Sequence, residues 1–290
     1  MPSPPIVRTP LDLRARLRPA RARGLRLALV PTMGALHEGH LSLVRLAHEH
    51  ADLVAVSLFV NPAQFAPTED FDAYPRDEAK DAGLLALAGC DLVYAPTRET
   101  IYPLGFATTV SVAGVATPLD GVSRPGHFAG VATVVAKLLV QAAPDVAVFG
   151  EKDYQQLQVI RRLVLDLDLP VWIIGAPIVR DADGLALSSR NAYLTAAQRA
   201  VAPVLHRTLS NVAQALASGE RVAKVEASAI EALMNAGFDS IDYLEVRTPD
   251  DLARLGPGPL TASGRILAAV TLGRTRLIDN VAAGRSAPIA

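Results

Sequence analysis

The chain has 290 residues, half of them hydrophobic and a fifth charged, so it can bury a sizeable core and is neither disordered nor fibrous in character. A formal charge of -1 at pH 7 excludes a basic field that would hold a polyanionic nucleic acid or an acidic membrane surface. No apolar run reaches the roughly 20 uncharged residues of a bilayer span, and Met1-Pro2-Ser3-Pro4-Pro5 does not read as a leader, so small ligands and a cytoplasmic address are expected.

In chain order, Thr9-Pro10 predicts an N-cap and first helical turn, with a helix running to about Arg21 and closed by Gly24. Apolar runs at Leu25 to Val30 and Leu53 to Val60 read as strands flanking a helix from His40 to His50, which makes a βαβ unit. The alternation continues with a helix at Arg76 to Ala88, a strand at Asp91 to Tyr94, a helix at Phe128 to Gln141 and a strand at Val146 to Phe149. A helix at Tyr154 to Leu165 then leads to a strand at Val171 to Ile174. The near-continuous apolar strands suit a doubly wound parallel sheet covered on both faces. Cys90, alone of its kind, follows an apolar stretch and is expected as a buried structural thiol. Beyond Pro177 the pattern changes to helices at Ala196 to Ala217 and Val222 to Ala236, then strands at Ile241 to Arg247, Arg265 to Thr271 and Thr275 to Asn280. That order predicts a smaller α+β domain.

Chemistry-bearing residues fall where strands end, the edge at which open α/β sheets bind ligands. After the first strand of the βαβ unit come Met33, Gly34, His37, Gly39 and His40. Gly34 permits close backbone approach, and the following helix N-terminus favours a phosphate, with the two histidines as added donors. A metal reading of the pair lacks a third histidine or cysteine nearby. At the next strand end, Asn61 and Gln64 offer amide donors and acceptors for a polar substrate; an ordinary Asn-Pro turn is the alternative. Gly150-Glu151-Lys152-Asp153-Tyr154-Gln155-Gln156 opens another helix, where Lys152 suits phosphate and Asp153 suits either a substrate contact or a cap. Ser188-Ser189-Arg190-Asn191 combines hydroxyls with a guanidinium fork, a triphosphate-binding set or a plain polar turn. Arg124 and His127 before a helix read as substrate contacts or loop stabilisers. Of Asp72, Asp77, Glu78 and Asp81, Asp81 is carried forward as an oxygen ligand for a phosphate-bound magnesium.

Taken in order, these segments, together with Phe59-Val60-Asn61-Pro62-Ala63-Gln64-Phe65, Tyr74-Pro75-Arg76-Asp77 and Arg124-Pro125-Gly126-His127-Phe128, resemble the pantothenate synthetase, or pantoate beta-alanine ligase, family. His37-Glu38-Gly39-His40 alone marks only the wider nucleotidyltransferase superfamily. The resemblance implies a Rossmann-like ATP- and pantoate-binding domain over residues 1–178, a C-terminal lid domain over 179–290, and a homodimer. It implies ATP, pantoate and beta-alanine as substrates, magnesium with the ATP, and pantothenate, AMP and pyrophosphate as products by way of pantoyl adenylate. Carried over by residue, His37, His40, Lys152, Ser188, Ser189 and Arg190 match ATP-phosphate contacts, with Met33, Gly34, Gly150 and Asp153 along the nucleotide. His37, His40, Lys152 and Arg190 form the catalytic set. Gln64 and Gln156 match the pantoate amides, with Asn61, Tyr74 and Arg124 beside them and Asp81 toward magnesium. Two rivals are a nucleotidyltransferase without the amide-forming step and a regulator that kept the fold but lost turnover.

Overall fold

A computed structural model describes residues 3–66 and 71–284. The chain divides into two compact units, one formed by residues 1–151 and 155–177 and the other by residues 152–154 and 178–290.

The first unit is a six-stranded, wholly parallel sheet in the order β1-β4-β3-β2-β5-β6. Its strands are β1 (Ile6–Val7), β2 (Leu27–Thr32), β3 (Leu53–Leu58), β4 (Leu92–Tyr94), β5 (Val146–Gly150) and β6 (Trp172–Ala176). Helix α1 (Pro10–Ala22) begins as the sequence predicts, with Thr9 Oγ1 accepting from the Asp12 amide. Helices α2 (Glu38–His48) and α3 (Glu78–Leu87) follow β2 and β3, and the one-turn helices α4 (Arg98–Ile101) and α5 (Asp120–Ser123) precede α6 (His127–Ala142). Helix α7 (Tyr154–Asp166) joins β5 to β6.

Period-two alternation along the strands builds two cores. Leu27, Leu29, Ala55, Tyr94, Ala147 and Phe149 face α1, α6 and α7. Ala28, Val30, Val54, Val56, Val93 and Val148 face α2 and α3. Strands rich in Val, Leu, Ala and Ile thus have both faces covered, which is why they read as continuous apolar runs. Cys90 belongs to the second core and is 7% exposed, in line with a structural thiol. From β2 the chain winds outward through β3 and β4, then crosses back to β5 and β6. The order therefore reverses between β2 and β5, and the crevice beyond their carboxyl ends is the expected ligand position.

The second unit packs α9 (Val204–Ala217) and α10 (Val222–Asn235) on an antiparallel sheet of β7 (Ser240–Arg247), β8 (Gly264–Leu272) and β9 (Thr275–Ala283). Leu205, Leu209, Val212, Val225 and Leu233 meet Leu244, Val246, Ile266, Ala268 and Val270. One expectation fails here. The helix predicted from Ala196 to Ala217 is two, α8 (Ala196–Val201) and α9, because Pro203 lacks the N–H that would continue the ladder. Among the described residues no helix is long and apolar enough to cross a membrane.

Candidate active site

In the first unit the site is built on the β2–α2 loop. Thr32 closes β2 and donates from Oγ1 to the Ser57 carbonyl at 2.8 Å, tying the loop to β3. The backbone then turns left-handed twice, at Gly34 (φ 82) and Ala35 (φ 51). For Ala35, a residue with a Cβ, that conformation costs about 1–2 kcal/mol. Asp81, reaching over from α3, holds it: Oδ2 accepts from the Ala35 amide and Oδ1 from the Leu36 amide, each at 2.9 Å. Asp81 is 3% exposed. Its burial raises the carboxyl above the ordinary aspartate range, while the Leu36 and Ala35 amides act in the opposite sense. Gly34 fits because a Cβ there would lie 2.9 Å from Asp81 Oδ2.

The loop delivers His37 as the N-cap of α2. Its Nδ1 accepts from the Gly39 amide at 3.1 Å, and His40 Nδ1 accepts in return from the His37 amide at 3.3 Å. The pair is a capping box made of two imidazoles, with ring centroids 4.1 Å apart. With both Nδ1 atoms accepting, each neutral ring carries its proton on Nε2 and is a donor there. A helix N-terminus, two imidazole donors and a glycine-opened backbone together suit a phosphate chain.

Beside it, the one-turn 3-10 helix Pro62–Gln64 carries the amides predicted from the sequence. Gln64 Nε2 lies 3.1 Å from the Met33 sulfur, so the β2–α2 loop and this turn meet. Asn61 is 1% exposed and engaged within the protein: Nδ2 donates to Gln64 Oε1 and to the Gly130 carbonyl, and Oδ1 accepts from the Tyr102 hydroxyl at 2.7 Å. The Gln64 carbonyl accepts from His127 Nδ1 at 2.8 Å and from Arg124 at 3.4 Å, and Arg124 Nη1 stands 3.0 Å from His127 Nε2. A proton on His127 Nδ1 satisfies the whole chain, leaving Nε2 to accept from Arg124. Met33, Asn61, Gln64, Arg124 and His127 are thus one cluster. Tyr74, 5% exposed, adds an aromatic wall with Phe65, their centroids 6.1 Å apart. Gln156 lies half-buried on the first turn of α7, following Gly150 at the end of β5.

Sequence reasoning missed two supports. Tyr102 orients Asn61, and Gly130 admits the 61–64 turn against α6, where a Cβ would stand 2.1 Å from the Ala63 carbonyl oxygen. Neither sits in a recognisable pattern.

The remaining candidates belong to the second unit. Lys152 Nζ lies 3.9 Å from Asp153 Oδ2, with the lysine side chain 21% exposed. Ser188 caps the short 3-10 helix Ser189–Tyr193 by accepting from the Arg190 amide at 3.3 Å, and Ser189 and Arg190 are half-buried on that turn. Among the described residues, no group of three His, Cys, Asp or Glu side chains is placed to hold a metal.

The pantoate-beta-alanine ligase family model matches residues 5–282. A pantothenate synthetase of Caulobacter vibrioides is 61% identical over 285 residues, covering 98% of this chain and all of that protein. The Rhodospirillum rubrum pantothenate synthetase is 58% identical, covering 96% of this chain and 98% of its own. Among solved structures, the pantothenate synthetase of Thermus thermophilus superposes with a TM-score of 0.90 at 46% identity, covering 96% of this chain and 98% of that one. The pantoate-beta-alanine ligase of Francisella tularensis, complexed with beta-gamma ATP and beta-alanine, gives 0.81 at 33%, covering 96% and 97%.

Proposed function

The chain belongs to the pantoate-beta-alanine ligase family, and from that membership we propose that it joins pantoate to beta-alanine in two steps through pantoyl adenylate. The observation that carries this reading is the strained β2–α2 loop at the strand-order reversal, which ends on the two imidazoles at the N-terminus of α2. Such a site suits the phosphates of ATP.

In the first step a pantoate carboxylate oxygen attacks the α-phosphorus in line. The bond from that phosphorus to the bridging oxygen breaks, and pyrophosphate leaves. His37 and His40 donate to phosphoryl oxygens, Lys152 and Arg190 neutralise the charge that gathers on the leaving group, and the Ser188 and Ser189 hydroxyls clamp the triphosphate. Gly34, Gly150 and Asp153 border the nucleotide. Met33 lies along the nucleotide with them, and Gln64 and Gln156 bind the pantoate hydroxyls and carboxylate, with Asn61, Tyr74 and Arg124 shaping that pocket. In the second step the free amine of beta-alanine attacks the acyl carbon, the amine proton is lost, and the carbon–oxygen bond to AMP breaks. Water must be excluded meanwhile, a task that falls to residues 179–290 acting as a lid.

Magnesium enters this reading with ATP, held by phosphate oxygens and water. Asp81 enters it as the carboxylate toward that magnesium, while each of its oxygens also accepts a loop amide. The active form is taken as a cytoplasmic homodimer, which analytical ultracentrifugation and fractionation check.

Pantoate labelled with oxygen-18 in its carboxylate tests the chemistry. One label should appear in AMP, and pyrophosphate–ATP exchange should need pantoate but not beta-alanine. Label retained wholly in pantothenate, or exchange without pantoate, would sink the adenylate.

A further inference from the structure

Two adjacent polar residues in β9, Asp279 and Asn280, are 4% and 2% exposed in a strand whose neighbours are apolar. Burying a charge and an amide in a sheet is disfavoured against apolar residues of similar size unless each is fully partnered. Both are partnered, and with different segments.

Asp279 takes a two-pronged ion pair from Arg180, with Nη1 at 2.7 Å and Nη2 at 2.8 Å. Arg180 Nη1 also donates to the Gly184 carbonyl at 3.1 Å. The segment is a small hairpin closed by the Arg180–Ala186 bridge and by the Asp181 amide on the Leu185 carbonyl. From it the chain passes straight into Ser188, Ser189 and Arg190, and Asn191 Nδ2 ties that turn back to the Ala186 carbonyl at 3.0 Å. Fixing Arg180 therefore fixes the hairpin, and the hairpin fixes the turn.

Asn280 points to the other face of the strand, as period two requires. Its Nδ2 donates to the Lys152 carbonyl at 3.0 Å, and its Oδ1 accepts from Arg265 Nε at 2.7 Å. The Arg265 guanidinium in turn lies 4.2 Å from the centre of the Tyr154 ring. Asn280 thus grips the 152–154 segment by its backbone and, through Arg265, by its aromatic side chain. The two neighbours are coupled to each other, since the Asn280 amide donates to Asp279 Oδ1 at 2.7 Å.

We propose that Asp279-Asn280 is a positioning pair: one dipeptide of β9 mounts both Lys152 and the Ser188–Arg190 turn, and so sets the spacing of the cations and hydroxyls that meet the triphosphate. The inference rests on the phosphate-binding reading of Lys152, Ser188, Ser189 and Arg190 given above. Neither Asp279 nor Asn280 touches substrate in it.

The test uses the full-length enzyme, MgATP and a non-hydrolysable ATP analogue. Asn280→Asp keeps the size and the Arg265 partner but replaces the donor to the Lys152 carbonyl with an acceptor; Asn280→Ala is its companion, and circular dichroism and thermal melts check that each is folded. Each should lower kcat/KM for ATP by about 10- to 100-fold, the loss expected when a charge-stabilising group is displaced by about an ångström. Binary pantoate binding should stay within about twofold, as expected for a site away from the change. In a Lys152→Ala background the same substitutions should add less than about twofold, because the group they position is gone. Asp279→Asn should behave likewise against Arg190→Ala. Variants with lowered melting temperatures but parental ATP kinetics, or losses fully additive with Lys152→Ala and Arg190→Ala, would overturn the pair's role. If Lys152→Ala and Arg190→Ala themselves leave ATP binding and turnover intact, the phosphate-site reading has failed, whatever Asn280 does.

Discussion

Gly34 offers a test in which two effects of a glycine separate. It has a φ of 82, and Gly24, past the end of α1, has a φ of 72. Adding a Cβ at either position costs the left-handed penalty of about 1–2 kcal/mol. The surroundings differ: a Cβ on Gly24 meets nothing within 4 Å, whereas one on Gly34 lies 2.9 Å from Asp81 Oδ2. That oxygen cannot retreat without lengthening its bond to the Ala35 amide. Hydrogen bonds to a charged group contribute about 1.5–3 kcal/mol each, and a partial loss of two adds about 1–3 kcal/mol. Gly24→Ala should therefore lower unfolding free energy by about 1–2 kcal/mol, and Gly34→Ala by about 2–5 kcal/mol. Urea titration with a shared m-value measures both. Steady-state kinetics should show KM for ATP raised in Gly34→Ala alone, since only that loop leads to His37 and His40. Equal stability losses, with unchanged ATP kinetics, would refute the argument that the close approach to Asp81 is what requires glycine.

Gly130→Ala should push α6 away from the Ala63 carbonyl, with an overpacking loss of about 1–3 kcal/mol and a raised KM for pantoate as the Gln64 turn shifts. His206 has a lowered pKa, chiefly from burial and next from the Arg180 charge, against the pull of Asp279. A histidine held below its unfolded value of about 6.5 binds fewer protons folded than unfolded, so stability should fall as pH drops through about 6.5 toward the folded pKa. His206→Gln should flatten that part of a thermal-melt pH series. Burial pushes Cys90 up to about 11. At pH 8 its thiolate fraction is then roughly two orders of magnitude below that of an ordinary cysteine, and maleimide labelling should be slow until denaturant is added.

What could be read from the sequence is what repeats or sits together in it. Continuous apolar runs alternating with amphipathic helices point to the parallel sheet, and the loop residues 31–40, 59–65 and 188–191 stand out as candidates because their polar side chains are packed into a few consecutive positions. Helix breaks are less legible: the apolar spacing of residues 196–217 runs on without interruption, and Pro203 alone marks the break between α8 and α9. Least legible were the supports. Asp81 stands 46 residues from the amide of Ala35 it holds, Tyr102 41 residues from Asn61, and Asn280 128 residues from Lys152. Each support lies far in sequence from the residue it holds, so sequence alone offers a solvated side chain or a ligand as readily as a mount. Asp81 shows the ambiguity directly, since the same carboxylate that resembles a magnesium ligand accepts two loop amides.

These mounts share a physical logic. On the proposed adenylate chemistry several negative oxygens meet in a small volume, and the cationic donors facing them would repel one another and relax apart if their backbone were soft. The β2–α2 loop is stiffened by a buried aspartate, and the hairpin before Ser188 by another, Asp279, through Arg180. An aspartate does this where an apolar residue cannot, because a carboxylate accepts two donors at fixed angles and so fixes an orientation as well as a separation. The penalty is desolvation, visible in the raised carboxyl of Asp81. An apolar replacement of the whole Arg180–Asp279 pair should therefore leave the fold at least as stable and still lose ATP turnover. That outcome separates a residue kept for geometry from one kept for stability.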